Sequence, residues 1–244
     1  MDAYDGLAPN YDAWAGYMED DIPFYVSLAH EAAPGPVVEL AVGTGRVTVA
    51  IAAETGRTVV GVDMSAGMLE VARAKARAAG VEALVDLRLG DMRALGTGSL
   101  ALDAPASLIV CPFRSLLHLR GWEEKAELFR AVAATLAPGG RFAWNAFVFD
   151  PHAAASADGY ASRHGDLWEY VEHAPADNRI DLTVYAGAPG VEPRTVQLWW
   201  ATRSEFEGLA RGAGLEIEAV YGWFDRSPYD DRSTEMVFIA SKPA

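Results

Sequence analysis

The run Pro36-Val37-Val38-Glu39-Leu40-Ala41-Val42-Gly43-Thr44-Gly45-Arg46 sets the architecture. A short apolar segment feeds a glycine-containing turn, and the turn opens a stretch with helical spacing, which is how a βαβ unit begins. Pro36–Ala41 is expected as a strand, Gly45–Glu54 as a short helix, Thr58–Val62 as a second strand and Ala66–Ala79 as a proline-free helix. Val85–Leu89 and Ser107–Cys111 read as strands three and four. Trp122–Leu136 carries Leu128, Val132 and Leu136 at helical spacing and meets a helix stop at Ala137-Pro138-Gly139-Gly140, after which Arg141–Val148 makes strand five. Short Val- and Ile-rich runs alternating with helices predict a mostly parallel sheet, buried on both faces.

Beyond Asp150 the pattern changes. Pro151–Gly165 is rich in Ala, Ser, Gly and His without a clear period, and is expected to be a loop or lid. Leu167–His173, Ile180–Tyr185 and Thr195–Thr202 are strand-like, with turns at Pro175–Asn178 and Gly187–Pro193, which predicts a three-stranded antiparallel addition. Ser204–Ala213 is a helix closed by Gly214, and Leu215–Trp223 and Glu235–Ala240 complete the chain as a pair of strands.

With 244 residues, 51% of them hydrophobic and 22% charged, one large core in one α/β domain is expected. Thirty-four acidic against 20 basic residues give a formal charge of −14, a field that repels phosphate backbones and argues against a nucleic-acid partner. The single Cys111 excludes an internal disulfide framework and fits a reducing cytoplasm. The start Met1-Asp2-Ala3-Tyr4-Asp5 lacks a secretory signal pattern, and no apolar run approaches the ~18 residues that span a bilayer, so no membrane partner is expected.

Three turns carry the chemistry. Glycines after strand one let a ligand approach backbone N–H groups, and the helix that follows favours an anion at its N-terminus. A dinucleotide fingerprint starting at Gly43 would need glycine where Thr48 stands, so a nicotinamide cofactor loses ground. Asp63 ends strand two, where a carboxylate accepts hydrogen bonds from two ribose hydroxyls, the favoured reading; the alternative makes Asp63 or Ser65 the cap of the helix from Ala66, and both roles can coexist on neighbouring residues. Gly90-Asp91-Met92 after strand three offers polar groups to an adenine edge and a thioether to its face. Together the turns place one nucleoside across the switch point of the sheet.

Through Glu39-Leu40-Ala41-Val42-Gly43-Thr44-Gly45, Val62-Asp63-Met64-Ser65, Met68-Leu69, Gly90-Asp91-Met92-Arg93 and Leu136-Ala137-Pro138-Gly139-Gly140, residues 30–150 resemble the class I S-adenosylmethionine-dependent methyltransferases, in the branch that acts on small molecules. The resemblance implies a doubly wound, seven-stranded, mostly parallel sheet of Rossmann-like type with an added antiparallel segment. It divides the domain into an N-terminal helical lid (1–33), a cofactor core (34–150), a substrate lid with antiparallel strands (151–203) and the C-terminal completion of the sheet (204–244). It implies S-adenosylmethionine as cofactor and calls for no metal. The methionine portion falls to Ala41, Gly43 and Gly45, the ribose to Asp63 with Met64 and Met68, and adenine to Asp91 and Met92, with Glu39, Gly90, Cys111 and Phe113 completing the set. The family usually has glycine where Ala41 stands.

After strand four, Phe113, Ser115 and His118 stand where that family lines the methyl-transfer site. His118 suits proton acceptance, because imidazole titrates near neutral pH, and it equally suits packing on the next helix. Cys111 is expected as a small buried residue rather than a nucleophile, since methyl transfer from a sulfonium needs no covalent enzyme intermediate. Tyr4, Tyr11 and Trp14 lie on a segment resembling the family's tyrosine-containing lid, with Tyr11 the first candidate to close over the sulfonium; a plain aromatic staple is the alternative. Among the later aromatics, Trp168, Tyr170 and Trp200 join Ser115 and His118 as candidate contacts to a small-molecule acceptor, attacking through nitrogen or oxygen by in-line displacement. A nucleoside-binding sensor or scaffold of the same fold is the competing class, and a homodimer through the late strands is an open arrangement.

Overall fold

The structure, a computed structural model, describes Tyr4, Ala8, Tyr11, Asp12 and residues 18–164, 167–186 and 192–244. Trp14, the rest of the expected N-terminal lid and the turn expected from Gly187 lie wholly or partly outside those residues. In chain order the elements of the core are α1 (Asp21–Glu31), β1 (Val37–Leu40), α2 (Arg46–Thr55), β2 (Val59–Asp63), α3 (Ala66–Ala78), β3 (Val85–Leu89), β4 (Ala106–Cys111), α4 (Gly121–Thr135) and β5 (Leu136–Phe147). Then come α5 (Pro151–Ala157), β6 (Ala161–His164), β7 (Leu167–Ala174), β8 (Arg179–Ala186), β9 (Arg194–Trp199), α6 (Arg203–Gly212), β10 (Glu216–Tyr221) and β11 (Glu235–Ser241).

Seven strands form one sheet in the order β10-β11-β5-β4-β1-β2-β3. β1 to β5 pair in parallel, and β11 is antiparallel to both β5 and β10. Alternate residues of each strand supply two cores. Val38, Leu40, Ile109, Phe142 and Trp144 pack towards α4 and α6, whereas Val37, Val59, Leu108 and Val110 pack towards α1 and α2. Trp144 anchors the first core, stacked on Phe238 with centroids 4.7 Å apart and planes 4° from parallel. The chain order reverses between β1 and β4, which opens a crevice at the carboxyl ends of those strands, the usual ligand position in such sheets.

Three expectations are corrected by the structure. The segment after Asp150 is not a bare loop: Asp150 accepts from the backbone N–H of His152 and of Ala153, Pro151 starts a helical turn, and the Ala-rich run continues as α5. β6 then pairs with β7, so the antiparallel addition has four strands, β6-β7-β8-β9, rather than three. β9 stops at Trp199, short of the expected Thr202, because Thr202 is committed to α6: its hydroxyl accepts from Glu205 N while the Glu205 carboxylate accepts from Thr202 N, a capping box.

Candidate functional site

The crevice is a cleft of about 590 Å³ that runs from the ends of β1, β2 and β3 to the wall made by β7, β8 and β9. Its first end is built on Asp63. The Asp63 carboxylate accepts from Gly43 N (2.8 Å) through one oxygen and from Ser65 N (2.8 Å) through the other, tying the β1 turn to the β2 turn. Ser65, not Asp63, caps α3, accepting from Met68 N at 3.1 Å. Asp63 is therefore left facing the cleft, with exposed Met64 and buried Met68 beside it.

Ala41 and Gly43 line the same end, both with φ of +54°. Gly43 has no heavy atom closer than 4.0 Å to where a Cβ would stand, so its surface is open to a ligand; Ala41 holds a left-handed conformation that costs about 1–2 kcal/mol in a residue with a Cβ. Gly45 serves packing instead: a Cβ there would meet the Cβ of Ala72 at 2.9 Å, so glycine lets α2 and α3 approach. Gly90 and Met92 line the cleft, whereas the Asp91 carboxylate turns to Arg93, with Arg93 Nη2 donating at 2.6 Å. Burial alone would raise the Asp91 carboxyl, but the hydrogen bonds from Arg93 outweigh it and hold the group below its ordinary value.

Glu39 lies beneath the glycine turn, fully buried, and accepts from the Thr48 hydroxyl. Cys111 is also fully buried, and burial pushes its thiol well above the ordinary value. Neither is among the residues lining the cleft. Burial raises the Glu39 carboxyl from 4.5 to about 8, so the folded protein keeps a proton that the unfolded chain releases, and stability falls as pH rises through that window. Glu39→Gln is expected to gain on the parent protein by up to about 1.4 kcal/mol per pH unit across it. Urea unfolding at pH 5, 6, 7 and 8 checks this, and parallel curves for the two proteins would refute it.

The second end is shaped by strain. Phe113 and Arg114 follow β4 with φ of +56° and +63°, two left-handed residues in succession. A buried network holds them there. Asn145 accepts from Arg114 N (3.3 Å) and from the Tyr25 hydroxyl (3.1 Å) and donates to Glu235 (2.7 Å), and the Arg114 guanidinium grips the fully buried Glu235 carboxylate at 2.7 Å. Phe113, Arg114, Ser115 and His118 all line the cleft, and the Ser115 hydroxyl is spent on Pro112 O at 2.7 Å.

Tyr11 lines the cleft next to Phe113, with ring centroids 6.4 Å apart. Tyr4, which sequence reasoning did not select, reaches His118: its hydroxyl lies 3.1 Å from Nε2, with ring centroids 5.5 Å apart. Asp12 pins this segment, bonded to Lys75 Nζ at 2.6 Å and to the Thr44 hydroxyl at 2.7 Å. Burial raises the Asp12 carboxyl, and the bonds from Lys75 and Thr44 more than reverse it.

Trp168, Tyr170 and Trp200 stand away from the cleft. Trp168 is 45% exposed with Arg163 over its ring, Tyr170 approaches the Gly159 turn, and Trp200 stacks on Phe149 at 4.1 Å. The alternate residues of β7 and β8 face inward, Glu169 and Val171 on the first and Ile180 and Leu182 on the second, whereas on the edge strand β9 the whole run of residues 195–199 borders the cleft. Period-2 alternation marks two faces in the sequence but not which of them meets the crevice. No group of three or more His, Cys, Asp or Glu suited to a metal ion occurs among the described residues, and none of their helices is long and apolar enough to cross a membrane.

The cleft suits S-adenosylmethionine, since it offers an open glycine turn after β1, a carboxylate at the end of β2 and the side chains of Met68 and Met92 in its lining. A family model described as a methyltransferase domain matches residues 37–140. The cypemycin N-terminal methyltransferase of a Streptomyces species is 30% identical over 216 residues, which cover 84% of this chain and 82% of the relative. The solved CcbJ methyltransferase from Streptomyces caelestis superposes with a TM-score of 0.85 at 28% identity, over 99% of this chain and 98% of that one. CalS10 from Micromonospora echinaspora, an amino pentose methyltransferase solved with S-adenosylmethionine bound, shares the fold at 21% identity with a TM-score of 0.66, over 99% and 97% of the chains. With its sheet order, its crevice and a relative matched over most of both lengths, the chain belongs to the class I S-adenosylmethionine-dependent methyltransferases.

Proposed function

We propose that the chain methylates a nitrogen of a small-molecule acceptor, with a hydroxyl oxygen as the second reading, favoured by the presence of His118. The observation that carries this is the continuity of one cleft from Asp63 to Ser115 and His118, ending on the wall of β7, β8 and β9. The relative named for methylation at the cypemycin N-terminus supports nitrogen. The acidic charge and the lone thiol support a role on metabolites in the cytoplasm rather than on nucleic acid or a membrane.

When bound, S-adenosylmethionine supplies a methyl group on a cationic sulfur that a lone pair displaces in line. The protein binds, orients and excludes water. Asp63 takes the ribose hydroxyls, the backbone at Ala41 and Gly43 meets the methionine end, and Gly90, Met68 and Met92 frame adenine. Tyr11 and Phe113 present rings near the sulfonium, where a cation gains from an aromatic face. His118 accepts the proton that leaves the acceptor, and Tyr4 holds its imidazole in place through the 3.1 Å contact at Nε2.

Methyl transfer from labelled cofactor to a panel of amines and alcohols tests the reading, and cofactor binding without transfer to any acceptor would favour a sensor instead. His118→Ala is expected to lower kcat about 100-fold or more with a hydroxyl acceptor. With an amine the loss shrinks as pH rises above the amine's own pKa, because a neutral amine attacks without a base. Cofactor affinity should hold within about twofold, since the change is at the acceptor end. A uniform loss at every pH would remove His118 from the proton's path.

A further inference from the structure

We infer that the acceptor is an amine with an apolar body: its hydrocarbon lies on the inner face of the β7-β8-β9 sheet, and its nitrogen is directed by Glu169. The inference rests on the amine reading above and adds the class of amine.

The wall follows from strand register. Val171 pairs with Leu182 and Leu182 with Val196, while Ile180 pairs with Leu198, and directly paired residues of antiparallel strands share a face. All five line the cleft. Val196 is buried, and Val171, Ile180, Leu182 and Leu198 keep part of their surface open. The wall therefore offers methyl and methylene groups in an unbroken patch from three strands. Glu169, two residues along β7 from Val171, is its acidic member.

A sugar or a small hydroxylated amine fits such a wall poorly. Each hydroxyl pressed against it loses water without gaining a partner, which costs about 1–3 kcal/mol on protein scales. A hydrocarbon gains instead, at about 0.8 kcal/mol per buried methylene. The other face of the same sheet is more polar, with Thr183 and Thr195 in mutual contact at 3.0 Å and Gln197 donating to Asp181 at 2.9 Å, and at the edge strand β9 Thr195, Gln197 and Trp199 also border the cleft. On β7 and β8 only the inner face borders the cleft, and β9 adds a polar margin to it. The Glu169 carboxylate, on the same wall as Val171, gives an amine an electrostatic reason to bind that an alcohol lacks.

The test is calorimetric titration of the intact protein, alone and with S-adenosylhomocysteine, using butylamine, hexylamine, octylamine, glucosamine and octanol as probes. Each added methylene is expected to tighten binding about threefold to fourfold. Leu182→Asn and the near-isosteric Val196→Thr should flatten that series, with circular dichroism and retained S-adenosylhomocysteine affinity showing that they fold. Glu169→Gln should erase the preference for octylamine over octanol, and Tyr185→Ser, on the exposed outer face, should change nothing. A flat series in the parent protein, tighter binding of glucosamine than of hexylamine, or a series untouched by Leu182→Asn and Val196→Thr overturns the inference. If S-adenosylhomocysteine fails to bind while the series stands, the methyl-transfer reading falls and the ligand class survives. If S-adenosylhomocysteine binds and glucosamine is methylated in preference to the alkylamines, the reverse holds.

Discussion

Asp63→Ala is expected to weaken S-adenosylmethionine binding about 100-fold or more, because the two charge-assisted hydrogen bonds proposed to the ribose would go, each contributing about 1.5–3 kcal/mol. The variant also releases Gly43 N and Ser65 N, which the carboxylate holds at 2.8 Å each, so the turns after β1 and β2 lose their mutual tie. Asp63→Asn separates the two effects. It keeps one good acceptor for the backbone and lacks the charge, and its affinity should fall between those of the parent and of Asp63→Ala. Calorimetric titration with S-adenosylmethionine reads both, and Asp63→Ala binding as tightly as the parent would remove the carboxylate from the cofactor site.

Glu235→Ala should destabilise the protein by about 3–5 kcal/mol, the usual result of stripping one partner from a buried ion pair. Glu235 is fully buried, and its loss leaves both the Arg114 guanidinium and the Asn145 amide without their acceptor in this network. For a chain of this size the corresponding drop in Tm is roughly 10 °C. The same network holds the left-handed pair Phe113 and Arg114 at the end of the cleft proposed for the acceptor, so methyl transfer should fall further than cofactor affinity. Glu235→Gln, which retains one acceptor oxygen, should cost less on both counts. Urea unfolding and a kcat comparison at saturating cofactor provide the readings; a loss below about 1 kcal/mol would mean that the turn stands without the pair.

Much of this protein is written locally in its chain. β1 to β4 begin and end within a residue of where periodicity and turn chemistry put them, because a Val-rich run closed by a glycine turn has one economical conformation and the next apolar period has one place to pack; β5 instead starts at Leu136, five residues before the expected Arg141, because Leu136 already pairs with Ala106 of β4. The cofactor end is equally local: Ala41, Gly43, Asp63 and Gly90 each lie at a strand's carboxyl end, and parallel pairing brings those ends together. Residues 151–164 were less legible, since an Ala-rich run after Asp150-Pro151 carries a helix start without an amphipathic stripe, and β6 exists through its pairing with β7.

The end of the cleft proposed for the acceptor was settled by packing across the chain. Alternation in β7 marks Trp168 and Tyr170 on one face and Glu169 and Val171 on the other, and only the seating of the four-stranded sheet beside the crevice turns the second face inward. Tyr4 meets His118 across 114 positions, and Arg114 meets Glu235 across 121, separations over which no local period operates. Short-range pattern dictated the sheet and the nucleoside cradle, because both are products of neighbouring residues and the direction of strands; the choice of wall, the anchored turn and the tyrosine at the imidazole came from tertiary contacts, because side chains remote in sequence acquire a common surface only when the sheet is assembled.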